Sequence, residues 1–257
     1  MTTAAKGRIR VEHSDDTVRV IIDNARKANA LGSALLDELR ATFESLGVEP
    51  PRAVVLTGAG ERAFAGGADL AELGALEVES ARAFITKVHA ACDAVRRCPA
   101  PVIARLRGAA LGAGLELAAS CDIRLAADDA LFGMPEVRFG IPSVVEAALL
   151  PRLLGRGRAA WFLLTGRNID ARTALEWGLV ERVVPAAALD DEVEATLAAI
   201  RAMDPAAVRE QKRLLAFWDE RPLSDGIAES IESLAQSYRH GVPNRLIGAY
   251  FAARRKP

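Results

Sequence analysis

The chain has no apolar run of membrane-spanning length, no basic stripe, and no cluster of cysteine or histidine. Each absence excludes something. Without about 20 consecutive apolar residues there is no transmembrane helix. The first stretch, MTTAAKGRIRVEH, lacks the apolar core of a secretory signal. Thirty-three Lys and Arg stand against 34 Asp and Glu, a net charge of −1, and they are scattered. That gives no electrostatic footprint for nucleic acid or an anionic membrane. Cys92, Cys98 and Cys121 match no zinc spacing and leave an odd count, so reduced, buried thiols in a cytoplasmic protein are expected. His13, His89 and His240 are far apart in the sequence, and no metal site is expected.

Two phosphate-binding signatures are also missing. Gly58 and Gly60 begin a G-x-G-x-x-G pattern but position 63 is Ala; Gly112 and Gly114 begin another but position 117 is Leu. No Gly-Lys-Ser/Thr follows either. Dinucleotide and P-loop binding are therefore excluded.

What is present is an ordinary globular composition, 51% hydrophobic and 26% charged, in a chain long enough for a sizeable core. RIRVEH and TVRVII alternate around Ser14–Asp16 and predict a hairpin. Ser33 is expected to cap a helix that Gly47 ends. Strands are predicted at 53–58, 101–108, 121–126 and 179–185, with helices at 79–97, from about Gly112, and near 143–154. This alternation argues an α/β core. Beyond about 186 the pattern is helical throughout, which predicts a core over 1–200 and a helical region over 201–257.

Three stretches carry chemistry. In the first, GAGERAFAGGAD, Gly66 and Gly67 fit either a plain turn or a tight turn approached by a ligand, and the flanking residues are apolar for an exposed loop. The second, GAALGAGLEL, holds Glu116 in a run with no other polar side chain. A buried carboxylate is costly unless paired or used. Arg105 or Arg107 could pair it. Alternatively, a helix starting near Gly112 leaves the Ala113 N–H without an intrahelical partner. Glu116 would then lie on the same face, about 4.5 Å further along the axis. An oxyanion donor beside an acid–base group suits carbonyl-activated chemistry. The third, FGMPEVRFGIP, sets Glu136 after Pro135 at a stiff bend. Alone it reads as a turn or helix-start carboxylate. Beside Glu116 in an apolar pocket it would make a pair holding one proton, an acid and a base together.

With these stretches, NARKANALGSALLDEL (24–39), RAVVLTGAGERAFAGGADLAEL (52–73) and LLTGRNIDARTALEWGLVERVVP (163–185) make the chain resemble the enoyl-CoA hydratase/isomerase (crotonase) family nearly end to end. The resemblance implies a spiral of repeated ββα units and a helical C-terminal region that builds trimers, often paired into hexamers. It implies that the backbone N–H groups of Ala68 and Ala113 bind the thioester oxygen of an acyl-CoA. Glu116 and Glu136 would hold a water and add it across the C2–C3 double bond of a 2-enoyl-CoA. No cofactor is implied, since coenzyme A is part of the substrate. Arg26 and Lys27 would meet its phosphates, with Ala28, Gly66, Gly67, Asp69, Leu70 and Gly112 along its path. Isomerisation of a 3-enoyl-CoA needs chiefly the Glu136 position, so Glu116 favours hydration. Neither decarboxylation nor dehalogenation calls for both glutamates, and a catalytically silent RNA-binding relative would carry a basic stripe.

Three departures stand out. Ala113 replaces the family's usual glycine. SVVEAALLPRL after Pro142 replaces a glycine-rich segment and brings in Glu146, which could bind a polar acyl group, steer a proton, cap a helix begun at Ser143 or face solvent. Tyr250 and Phe251 keep an aromatic-then-basic ending that could close a neighbouring subunit's pocket.

Overall fold

A computed structural model describes residues 7–254. Contacts divide the chain into two compact units, Met1–Ile200 and Arg201–Pro257. The first holds all ten strands seen among the described residues: β1 (Arg8–Ser14), β2 (Thr17–Asp23), β3 (Ala53–Gly58), β4 (Ala63–Ala65), β5 (Val102–Leu106), β6 (Ala109–Leu111), β7 (Ile123–Ala127), β8 (Leu131–Gly133), β9 (Ile169–Asp170) and β10 (Arg182–Val184). They form a six-stranded sheet in the order β1-β2-β3-β5-β7-β10 and a four-stranded sheet in the order β4-β6-β8-β9. Only β1 with β2 and β8 with β9 pair antiparallel.

The interior strands of the large sheet read as continuous apolar runs because both their faces are covered. In β3, Val54 and Leu56 face the main core, while Ala53 and Val55 face a smaller one. That is the strand's period of two. The main core lies beneath α1 (Ser33–Leu46), α2 (Leu70–Leu73), α3 (Val78–Arg97), α4 (Ala113–Ala119), α5 (Leu150–Leu154), α6 (Arg156–Thr165) and α7 (Ala171–Trp177). The smaller core is closed by Leu189, Val193 and Leu197 of α8 (Leu189–Arg201).

The chain repeats one move. It leaves a strand of the large sheet, makes a three-residue strand of the small sheet, and enters a helix or turn: β3-β4-α2, β5-β6-α4, β7-β8 and a 3₁₀ turn over Glu136–Phe139. Because β4, β6 and β8 are parallel neighbours, their C-terminal exits lie side by side. Those exits carry Gly66–Ala68, Gly112–Ala113 and Pro135–Glu136. The three chemical stretches of the sequence meet there.

Some expectations need correction. Gly32, not Ser33, is the N-cap of α1; the Ser33 amide and hydroxyl both donate to Glu72, across 39 residues. The helix near 143–154 is a 3₁₀ turn, Val145–Leu149, followed by the short α5. The helices α6 and α7 are not among the expected elements, nor are the short strands β4, β6, β8 and β9. Cys92, Cys98 and Cys121 are buried, and none forms a disulfide among the described residues.

The second unit consists of α9 (Pro205–Glu220), α10 (Leu223–Ser237) and α11 (Val242–Arg254). Asp204 caps α9 by accepting from the Ala206 and Ala207 amides, and Pro205 takes the first position, where its missing N–H costs nothing. Arg213 of α9 pairs with Glu210 on its own helix and with Glu229 of α10, which ties the two helices together. No helix among the described residues is long and apolar enough to cross a membrane.

Candidate active site

The exits of β4, β6 and β8 line a cleft of about 300 Å³. Ala68, Ala113, Glu116 and Glu136 all border it, together with Gly66, Gly67, Leu70 and Gly112. Its apolar wall comes from Phe84, Ile85 and Val88 of α3 and from Phe139, Ile141 and Val144.

The two alanine amides follow from local geometry. Leu31 pairs with Ala68 as an isolated parallel bridge, donating to the Gly67 carbonyl at 2.8 Å and accepting from the Asp69 amide at 3.0 Å. The Ala68 N–H between them points away from Leu31. Ala113 is the first residue of α4, so its amide lies before the first intrahelical bond. Gly112 just before it has φ +49° and ψ −125°, and its amide donates to Gly133 at 2.9 Å. The positive φ favours glycine at Gly112, and a Cβ there would also push Glu136 Oε1 out of its place. Glu136 therefore lies directly over the start of α4. Its other oxygen accepts from the Ser143 hydroxyl at 2.8 Å.

Glu116 is 4% exposed, and neither arginine considered for it is its partner. Arg105 forms a bidentate pair with Asp190, and Arg107 pairs with Glu61 and Asp129. Glu116 Oε1 instead accepts from the Ala147 amide at 3.0 Å. Burial pushes its carboxyl up to about 8; the Ala147 amide opposes this, and the charges of Glu136 and Glu146 add to it. Burial thus favours the protonated form of Glu116.

The remaining predicted positions fall around this cleft. Lys27 Nζ bonds Asp69 Oδ2 at 2.7 Å, and the lysine holds the Asp69 carboxyl below its usual range. Arg26 is exposed. Ala28, at φ +51°, accepts from the Gly66 amide at 2.8 Å. Arg26, Lys27, Ala28 and Asp69 do not line the cleft itself.

Sequence reasoning missed three contributors. Fully buried Asn29 donates to the Ala59 and Ala63 carbonyls at 3.0 and 2.7 Å and accepts from the Asn24 amide, fixing the segment before β4. The α3 face carried only a core-like signal, since Phe84 and Val88 are also buried. The Ala147 amide has no side-chain signature at all. Glu146, for its part, neither caps a helix nor faces solvent nor lines the cleft: it is 3% exposed and bonded to His89.

Comparison with known proteins identifies the family. The family model described as Enoyl-CoA hydratase/isomerase matches residues 13–240. The Bacillus subtilis putative enoyl-CoA hydratase/isomerase YngF is 37% identical over 228 residues, 88% of this chain and 86% of that protein. The short-chain-enoyl-CoA hydratase of Clostridium acetobutylicum is 36% identical over 221 residues, 85% of each chain. A crystal structure of enoyl-CoA hydratase from Mycobacterium smegmatis superposes with a TM-score of 0.92 at 33% identity, covering 97% of both chains. The two-sheet spiral with its helical C-terminal region is the crotonase fold. Family model, curated relatives and solved structures coincide, and the chain belongs to the enoyl-CoA hydratase/isomerase family.

Proposed function

We propose that the protein is an enoyl-CoA hydratase that adds water across the C2–C3 double bond of a 2-enoyl-CoA thioester to give the 3-hydroxyacyl-CoA. The observation that carries this reading is the common cleft of Ala68, Ala113, Glu116 and Glu136. The thioester oxygen would accept from the Ala68 and Ala113 amides, which stabilise the enolate-like charge as it develops. Donors of this kind in other enzymes contribute about 2.7–4 kcal/mol each. Glu116 would take a proton from the attacking water while its oxygen bonds to C3, and Glu136 would deliver its own proton to C2. Burial favours the pair's proton on Glu116. The water held between both carboxyls is the path by which it reaches Glu136. Because the two carboxyls are coupled, a pH profile reports on the pair.

Coenzyme A would run past Gly66–Leu70 and Ala28, with Arg26 and Lys27 near its phosphates. The apolar wall from α3 would take the acyl chain. The unit Arg201–Pro257 would mediate self-association into trimers or pairs of trimers, the arrangement the family resemblance implies.

The test is a panel of 2-enoyl-CoA thioesters of varied chain, followed by loss of conjugated absorbance. Wild-type protein should hydrate at least one, and Glu116→Gln should abolish hydration. Near-normal hydration by that variant would overturn the acid–base assignment. Retention of 3-enoyl-CoA isomerisation by a protein that hydrates nothing would replace this reading with the isomerase.

A further inference from the structure

A second cluster lies behind Glu116, on the side away from the cleft. The 3₁₀ turn Val145–Leu149 presents the Ala147 amide to Glu116 Oε1 at 3.0 Å. The residue before Ala147 is Glu146, 3% exposed, whose Oε1 bonds His89 Nδ1 on α3 at 2.8 Å. Its Oε2 is buried without a hydrogen-bond partner. The residue before that, Val145, stands at φ +41°. A β-branched side chain there is strained and persists only where the surroundings hold it. A carboxylate buried with half its capacity unmet, next to a strained valine, is a costly way to build a turn. Two side-chain contacts hold the turn at adjacent residues: His89 on Glu146, and Glu116 on the Ala147 amide, which also donates to the Val144 carbonyl at 2.9 Å.

We propose that Glu146, anchored by His89, is a positioning residue: it fixes the Val145–Leu149 turn so that the Ala147 amide orients the Glu116 carboxyl toward the cleft. Glu146 does not line the cleft and touches no reacting atom; it opens instead on a separate hollow bordered by His89 and Arg96. The proposal rests on the hydratase reading for its kinetic test.

The charges around Glu146 are accounted for by element. From α3 come His89, Asp93 and Arg96 together with the Cys92 thiol, which burial keeps protonated. From α4 comes Glu116, and α5 carries only Arg152, which is exposed. Burial pushes the Glu146 carboxyl up and the His89 contact opposes this; when ionised, Glu146 also favours the proton on Glu116. The Glu146 amide made by Glu146→Gln can still accept from His89, yet it removes that charge.

The experiment compares Glu146→Ala, Glu146→Gln and His89→Ala in hydration, with full pH profiles of kcat. Glu146→Ala should lower kcat about 10- to 100-fold, the scale of a misplaced catalytic group, with KM little changed. Glu146→Gln should recover most of that rate, and its alkaline limb should move to lower pH, since one anion fewer faces Glu116. His89→Ala should lower kcat in the same direction as Glu146→Ala. Wild-type kcat and profile in Glu146→Ala would overturn the proposal. So would an unmoved alkaline limb in Glu146→Gln, or a loss expressed in KM and thermal stability alone. If Glu146→Ala does not fold, Glu146→Gln and His89→Ala decide by the same criteria. If the wild-type protein hydrates no thioester, the hydratase reading fails separately. An infrared titration of the carboxyl band that Glu116→Gln removes then decides: a lower midpoint in Glu146→Gln supports the positioning role, and an unchanged one overturns it.

Discussion

Glu116 links the cleft to the stability of the whole chain. An unfolded glutamate loses its proton near 4.5, whereas burial holds the folded carboxyl's proton up to about 8. Between those values the folded state binds the extra proton, so stability falls as pH rises through the window. Glu116→Gln is neutral throughout and keeps an oxygen for the Ala147 amide. Its melting temperature should therefore rise relative to wild type as pH goes from 5 to 9, by about 2–4 °C per kcal/mol in a domain this size. A thermal scan across that range checks it; a constant difference would contradict the raised Glu116 carboxyl. The single glycine at the start of α4 is as constrained. Gly112→Ala places a methyl on Glu136 Oε1 at a backbone φ of +49°. It should cost about 1 kcal/mol or more in denaturant unfolding and abolish hydration by displacing Glu136.

At the scale of elements, the site depends on three short parallel strands whose exits must stay in register. Asn29 couples the first of these to the segment before it, through two carbonyl acceptors and one amide donor. Asn29→Ala leaves those buried groups unmet and should destabilise by about 2–4 kcal/mol. Urea unfolding measures that. The same variant should lower kcat, because Gly66–Ala68 loses its backing. The elements of five or more residues between 8 and 127 were legible because period-two and helical patterns sustained over that length leave a clear trace. The strands Ala63–Ala65, Ala109–Leu111 and Leu131–Gly133 are too short for any periodicity to register. Likewise Ser33 looked like a cap because its type favours that role, but Glu72, 39 residues on, claimed its hydroxyl and amide.

At the scale of the whole molecule, the second unit keeps an apolar row in view. Leu223, Ile227, Ile231 and Leu234 of α10 are 53–80% exposed and lie on one helical face. Tyr250 and Phe251 of α11 are also exposed, with their rings edge to face at 5.6 Å. If this unit mediates self-association, light scattering should give a mass of three or six chains. Replacing Leu223, Ile227 and Ile231 together with serine should then shift that mass toward one chain. A wild-type protein of single-chain mass would reject the assembly.

The family resemblance supplied the Ala68 amide; the sequence by itself pointed to the α/β alternation, the helical end, the Glu116 and Glu136 carboxylates and the Ala113 amide. Residue type and local spacing encode these, and a carboxylate in an otherwise apolar run is visible without coordinates. Only tertiary structure decided what surrounds them. Arg105 went to Asp190, 85 residues away, so Glu116 was left to an amide that no side chain marks. Glu146 turned from the cleft to His89, 57 residues earlier. Ion pairs and buried hydrogen bonds act through distance in space, and distance along the chain does not carry that information until the strands have set their order.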